Sequence, residues 1–223
     1  MVGLSLFTLG DIRTKVRNLT GHKSTNDLSA DDLLDYINRY YQLVFPLEVR
    51  PYELRTWFGF DVSDGTEEYD LTTQTDSTTS LIYEDAYLTL ENPSTIDGYS
   101  LTIYLDPALF YDKWPETTTY DESRPTDVLF YEQKLLFRAT PDDTYTVKIA
   151  SWRKPSALSS DTDYPMQEEW GPLIAYGAAR EVAEDYGDIE TLQKIEPLYQ
   201  QHKVRLNNKI HFQNVDQRSV PKF

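Results

Sequence analysis

The 223 residues are 39% hydrophobic and 13% aromatic, enough for a buried core of one domain or one and a half. There is no cysteine, which excludes disulfides, thiolate nucleophiles and cysteine-ligated metal centres together. The net charge of −16 sits in the middle: residues 51–165 hold 22 acidic and 8 basic side chains, residues 1–50 hold six of each, and residues 199–223 set five basic residues against Asp216 alone. Such a middle repels polyanions and argues against tight nucleic-acid binding. No apolar run approaches the roughly 20 residues of a membrane span. The N-terminus also lacks the features of a secretory signal, so folding in a cytoplasm is expected.

In chain order, Thr8 followed by Asp11 forms a capping pair, and Leu9, Ile12, Val16 and Leu19 recur at helical spacing up to Gly21. Ser29 and Asp32 repeat the cap for a second helix with apolar face Leu33, Leu34, Ile37, Tyr41 and Val44, which Pro46 is predicted to end. From Leu54 the chain changes to short β-branched and aromatic runs: 57–62, 68–71, 80–84, 87–91 and 99–105. Turns fall at Ser63-Asp64-Gly65 and Ile96-Asp97-Gly98. Asp106-Pro107 predicts the cap and first position of a short helix through about Lys113, and 115–125 reads as a polar loop. Residues 128–131 and 135–138 form a hairpin, and 145–152 a last strand. With these strands too closely spaced for helical crossovers, an antiparallel sheet or sandwich is expected.

Pro165 and the acidic pair Glu168-Glu169 introduce a helix with face Trp170, Leu173, Ile174, Gly177 and Val182, made thin by Gly171, Ala175, Ala178, Ala179 and Ala183 so that neighbouring helices come close. Gly187 and Asp188 separate it from a last helix with stripe Leu192, Ile195, Tyr199, His202 and Leu206, in which Pro197 is expected to kink or divide the helix. Residues 211–223 show no period and are expected to be an extended tail. The fold class is therefore α+β: an antiparallel bundle of helices from 1–50 and 164–210, an inserted strand-rich domain over 51–163, and the tail.

Catalytic and binding devices find little support. His22, His202 and His211 are scattered, no G-x-S-x-G, Walker or G-x-G-x-x-G segment occurs, and carboxylate pairs are too abundant to point anywhere. Asp61, Ser63 and Asp64 lack the spacing of a calcium loop and read as a turn. No catalytic residue, metal site or cofactor is assigned. Trp57, Trp152 and Trp170 sit in apolar patterns and are expected in the core, whereas Trp114, in a polar loop, is a candidate contact surface.

Particular residues carry a family likeness. Leu9-Gly10-Asp11-Ile12-Arg13 opens the first helix, Asp32 to Tyr41 forms the second, and Tyr164-Pro165 leads to Trp170-Gly171-Pro172-Leu173-Ile174-Ala175-Tyr176-Gly177-Ala178-Ala179 and then Tyr186-Gly187-Asp188. In this order and character the chain resembles the head-to-tail adaptor (connector) proteins of tailed bacteriophages. The likeness covers the helical ends well and the strand region only in position and character.

The resemblance implies a virion protein, made in the host cytoplasm. Self-association would give a ring of about twelve copies, a head-to-tail interface closed by rotation. Its implied partners are the portal protein above, tail or nozzle proteins below, and DNA passing through without sequence-specific binding. Portal docking would fall to the C-terminal segment, here Lys209, Phe212, Arg218, Val220, Pro221, Lys222 and Phe223. Bundle and subunit packing would fall to Leu34, Ile37, Tyr41, Trp170, Ile174, Gly177, Ala178, Leu192 and Tyr199, and a tail-facing contact to Trp114. Two rivals remain open from the residues alone: a glycan-binding β module using Trp114 and nearby tyrosines, and a carboxylate-dependent glycan hydrolase.

Overall fold

The computed structural model describes residues 7–116, 118 and 120–215, the last six by backbone alone. The chain divides into two compact units, one made of its two ends, up to Leu54 and from Pro155, the other of Arg55–Lys154.

Helix α1 (Leu9–Thr20) starts on a reciprocal cap: the Asp11 amide donates to Thr8 Oγ1 at 3.3 Å and the Thr8 amide donates to Asp11 Oδ2 at 3.0 Å. It ends at Gly21, whose φ of 76° is left-handed backbone that glycine, lacking a Cβ, adopts without steric cost. Helix α2 (Ala30–Arg39) repeats the cap with Ser29, which accepts from the Asp32 amide at 3.0 Å.

Pro46 does not end this helix. A wide π turn over Tyr40–Val44, in which the Phe45 amide donates to the Tyr40 carbonyl, shifts the ladder by one residue and places Pro46 in the first turn of α3 (Phe45–Val49). In that turn proline's missing N–H has no bond to make and its ring no carbonyl to strike.

The middle unit holds β1 (Arg55–Val62), β2 (Glu68–Asp70), α4 (Tyr83–Ala86), β3 (Tyr87–Ile96), β4 (Tyr99–Tyr104), α5 (Pro107–Lys113), β5 (Asp127–Tyr131), β6 (Lys134–Arg138) and β7 (Tyr145–Arg153). They form one curled seven-stranded sheet in the order β1-β7-β3-β4-β5-β6-β2. Its concave core includes Phe58, Phe60, Tyr69, Phe137, Val147 and Ile149. The expectation of an antiparallel sheet or sandwich is corrected here, because β4 and β5 run parallel. The intervening residues 105–126, with α5 among them, supply the long crossover that parallel neighbours need.

Two further expectations fail for local reasons. Trp57 is 49% exposed rather than in the core, because Phe58, Phe60 and Val62 take the inward face of β1 and the alternation turns Trp57 outward. Residues 80–84 make only a single bridge, Thr75 to Ile82, before entering α4. The buried Asp76 carboxylate explains this by winding the preceding loop around itself. It accepts the amides of Gly59 at 2.9 Å, Thr78 at 2.9 Å and Thr79 at 2.6 Å, and the Thr79 hydroxyl at 3.0 Å.

Burial by itself would raise the Asp76 pKa, but these four bonds outweigh it and hold the group below its ordinary value. A depressed native pKa means stabilisation that is fully present above the unfolded carboxylate's value of about 3.9 and is lost as pH falls through the native one. Asp76→Asn, which keeps one accepting oxygen and turns the other into a donor, is expected to cost about 2 kcal/mol at pH 7. In urea unfolding followed from pH 7 down to pH 3, the gap between the two proteins should narrow below about pH 4.

After the middle unit, a 3-10 turn (Glu168–Trp170) leads into α6 (Gly171–Asp185) and then α7 (Ile189–Val215). Between α6 and α7, Gly187 takes φ 67° and Asp188 accepts the Thr191 amide at 3.0 Å. The small-residue helix α6 packs against α1, α2 and α7. α7 runs through Pro197 and on to Val215, so residues 211–215, expected as extended tail, are helical. Ile195, Tyr199 and Leu206 anchor α7 by burial, and extending a helix already nucleated costs little per residue, which needs no apolar period. Residues 216–223 lie outside the described residues. No helix among the described residues is long and apolar enough to cross a membrane.

Candidate functional site

The residues expected to pack the helical ends are largely gathered in one place. Ile37, Tyr41, Trp170, Ile174, Gly177, Ala178 and Tyr199 are buried, while Leu34 and Leu192 are half-buried at the margin. Gly177 is the point of closest approach, since a Cβ there would stand well inside 3.0 Å of the Tyr40 ring carbons. The absent side chain is what lets the Tyr40 ring lie on α6.

From that seat the Tyr40 hydroxyl meets the Tyr199 hydroxyl at 3.1 Å, and Tyr199 in turn donates to Glu48 Oε2. Lys203 Nζ reaches the same carboxylate oxygen at 3.2 Å, and the Arg180 guanidinium lies 4.8 Å from the Tyr199 ring centroid. A buried chain of two phenols therefore ends on a carboxylate held by a lysine, and with Arg180 it ties the π turn, α3, α6 and α7 together. Burial raises the pKa of both phenols, and the neighbouring Glu48 charge adds to it, so both stay protonated donors.

Around this chain other contacts fix the same helices. Phe45 and Trp170 stack at a tilt with centroids 5.0 Å apart, and the Met166 amide donates to the Tyr41 hydroxyl at 2.9 Å. On the α2–α6 seam, Arg39 Nε donates to Glu181 Oε2 at 2.8 Å, and burial lifts the Glu181 pKa despite that partner. Tyr36 donates to Asp185 at 2.7 Å, a bond that with desolvation pushes the phenol up to about 12.

The expected docking segment is placed only in part. Lys209 forms an ion pair with Glu169 of the 3-10 turn, which draws the late part of α7 toward the start of α6. Phe212 lies in the helical stretch whose side chains are not described, and Arg218, Val220, Pro221, Lys222 and Phe223 fall outside the described residues. Trp114 follows α5 and is half-buried, its ring edge-on to Tyr120 at 4.9 Å with Lys113 Nζ at 5.5 Å. Lys113 itself pairs with the buried Asp127 carboxylate at 2.8 Å. Among the described residues no group of three or more His, Asp or Glu is arranged to hold a metal ion.

Sequence reasoning missed Tyr40, Phe45, Glu48 and Arg180. A signal existed in Glu48, a lone carboxylate inside the otherwise apolar Phe45-Pro46-Leu47-Glu48-Val49, though its partners lie some 130–155 residues further on. It also missed Phe7, whose ring occupies the space a Cβ on Gly171 would need.

The chain is thus an α+β protein in which helices from both ends close around a buried polar chain and the middle forms a curled sheet. It belongs to the SU10 adaptor protein family, whose model matches residues 7–221. The likeness to phage head-to-tail adaptors read from the helical ends is borne out by this match, and it makes the chain a bacteriophage adaptor and virion component. No curated relative matches the chain.

Proposed function

We propose that this chain forms a ring of about twelve copies beneath the portal, joins it to tail or nozzle proteins, and continues the DNA channel. The observation that carries this reading is the family match, which spans both helical ends and the strand-rich middle. The helices, pinned by the Tyr40–Tyr199–Glu48 chain, make the rigid body of the subunit and supply the packing faces between copies. Residues after Lys209, with Phe212, Arg218, Val220, Pro221, Lys222 and Phe223, dock on the portal through cations and apolar anchors, Lys209 forming the root of that segment. The insertion faces the tail, with Trp114 as a contact, and its acidic residues keep passing DNA from sticking.

The test mixes the purified chain with portal complexes and images the product by electron microscopy. Portal-capping rings are expected with the full chain and none with a chain ending at Lys209. Because that truncation shortens α7, a second variant, Lys222→Ser with Phe223→Ser, leaves the described helix whole and should also lose capping. Full-length chain that stays unassembled on portals, or both variants capping as well as the parent, would overturn the proposal.

A further inference from the structure

Among the described residues of the middle unit, three of the strand edges that lack a strand neighbour are treated differently. β1 is an outer edge, but the loop after β2 covers its centre: Gly59 donates to Asp76, and the Ser77 amide donates to the Gly59 carbonyl at 2.7 Å. β2, at the other end of the order, is three residues long. Covering and shortening are the usual ways to stop an edge from recruiting another chain.

The third edge lies inside the sheet. β3 is paired with β7 from Tyr87 to Ile96, yet with β4 only at Ser94–Leu101, Thr95–Ser100 and Ile96–Tyr99. The register of β3 shifts between Glu91 and Ser94, and β4 goes on to pair with β5 at Thr102 to Tyr104. Over Tyr87–Leu90, the side of β3 turned away from β7 has no strand paired to it among the described residues. Where β3 and β4 part, a cleft of about 370 Å³ opens, lined by Tyr87, Leu88, Leu90, Leu105 and Phe130, with Glu84 and Gln133 at its polar margin. Leu105 is 65% exposed, a large apolar side chain left to water beside the gap.

We propose that this gap receives an extended segment of a partner protein as an added strand against Tyr87–Leu90, a segment of alternating apolar residues flanked by lysine or arginine. Backbone pairing gives such a segment its affinity, and the apolar cleft selects its inward side chains. Four residues of strand span about 13 Å, room for a four- or five-residue partner. The flanking charge follows from the unit, which carries 19 acidic against 8 basic residues over 55–154, with Glu84 in the cleft and the exposed Glu132 next to Gln133. The same excess makes a second copy of this unit a poor occupant. The inference stands on the sheet alone, whichever proteins the adaptor joins.

The test uses the full chain and a fluorescein-labelled eight-residue peptide that alternates valine with lysine and threonine, followed by anisotropy at low salt. Saturable binding is expected, and of two versions N-methylated on alternate amides, one should bind at least tenfold more weakly because it loses the donors that face β3. Leu105→Asp should weaken binding at least fivefold and Glu84→Lys about threefold, both at exposed positions that leave the fold intact. No saturable binding, equal binding of both methylated peptides and the parent, or indifference to both substitutions would overturn the proposal. Displacement of the probe by an unlabelled peptide of residues 216–223 would overturn it too, by giving the gap to the chain's own end.

Discussion

Gly177→Ala is expected to destabilise the helical unit by about 3 kcal/mol, although the same change in an exposed helix interior normally stabilises by up to about 1 kcal/mol. The sign turns on what the new methyl meets. A Cβ at this position would lie well inside 3.0 Å of the Tyr40 ring, and that ring is fully buried between α6 and Phe45. The ring cannot swing away without taking its hydroxyl from Tyr199 and leaving a buried phenol unpaired. Gly171→Ala supplies the internal comparison, since it collides with Phe7, which is only half-buried and can turn aside. About 1 kcal/mol is expected there. Because the molecule has two units, hydrogen exchange is the proper measurement. Amides of α1 and α6 should lose protection in Gly177→Ala while those of β7 keep theirs. Equal losses for the two glycines would sink the argument.

Trp170→Ala should cost the helical unit about 3–5 kcal/mol, the range for deleting a large buried aromatic. Trp170 is wholly buried, the largest such side chain among the described residues, and it packs on Phe45, which the π turn directs into the core. Its indole nitrogen has no hydrogen-bond partner among the described residues, so the loss is one of packing alone. Trp170→Phe should therefore recover more than half of the stability, as judged by the same exchange measurement. If phenylalanine were no better than alanine, the indole N–H would have to be making a bond that matters.

Where a residue acts on its own neighbours, the fold was legible in the sequence. Thr8 with Asp11, Ser29 with Asp32, and Asp106 with Pro107 each start a helix where their spacing says, because a cap is settled within four residues. The β5–β6 hairpin is likewise local, turning on Glu132 and Gln133 at φ of 52° and 61°. Distant partners were not legible. Residues 80–84 have strand-like composition, but Asp76 binds Gly59 across 17 positions and sets that segment's path. Trp57 looks like core until the inward face of β1 is assigned, and Pro46 looks like a stop until the π turn before it is known. Of the candidate site, the small-residue face of α6 could be read because glycine and alanine announce close packing. The Glu48 cluster could not, because its members come from three separate segments.

The helical unit is closed by contacts such as Tyr36–Asp185 and Tyr40–Tyr199, about 150 and 160 residues apart, whereas Arg55–Lys154 is a single uninterrupted stretch. During synthesis the sheet has all its strands once Lys154 has emerged, while α1 and α2 must wait for α6 before their apolar faces are covered. The first two helices therefore spend the translation of more than a hundred residues as unpaired amphipathic segments, the interval in which a chaperone has something to hold.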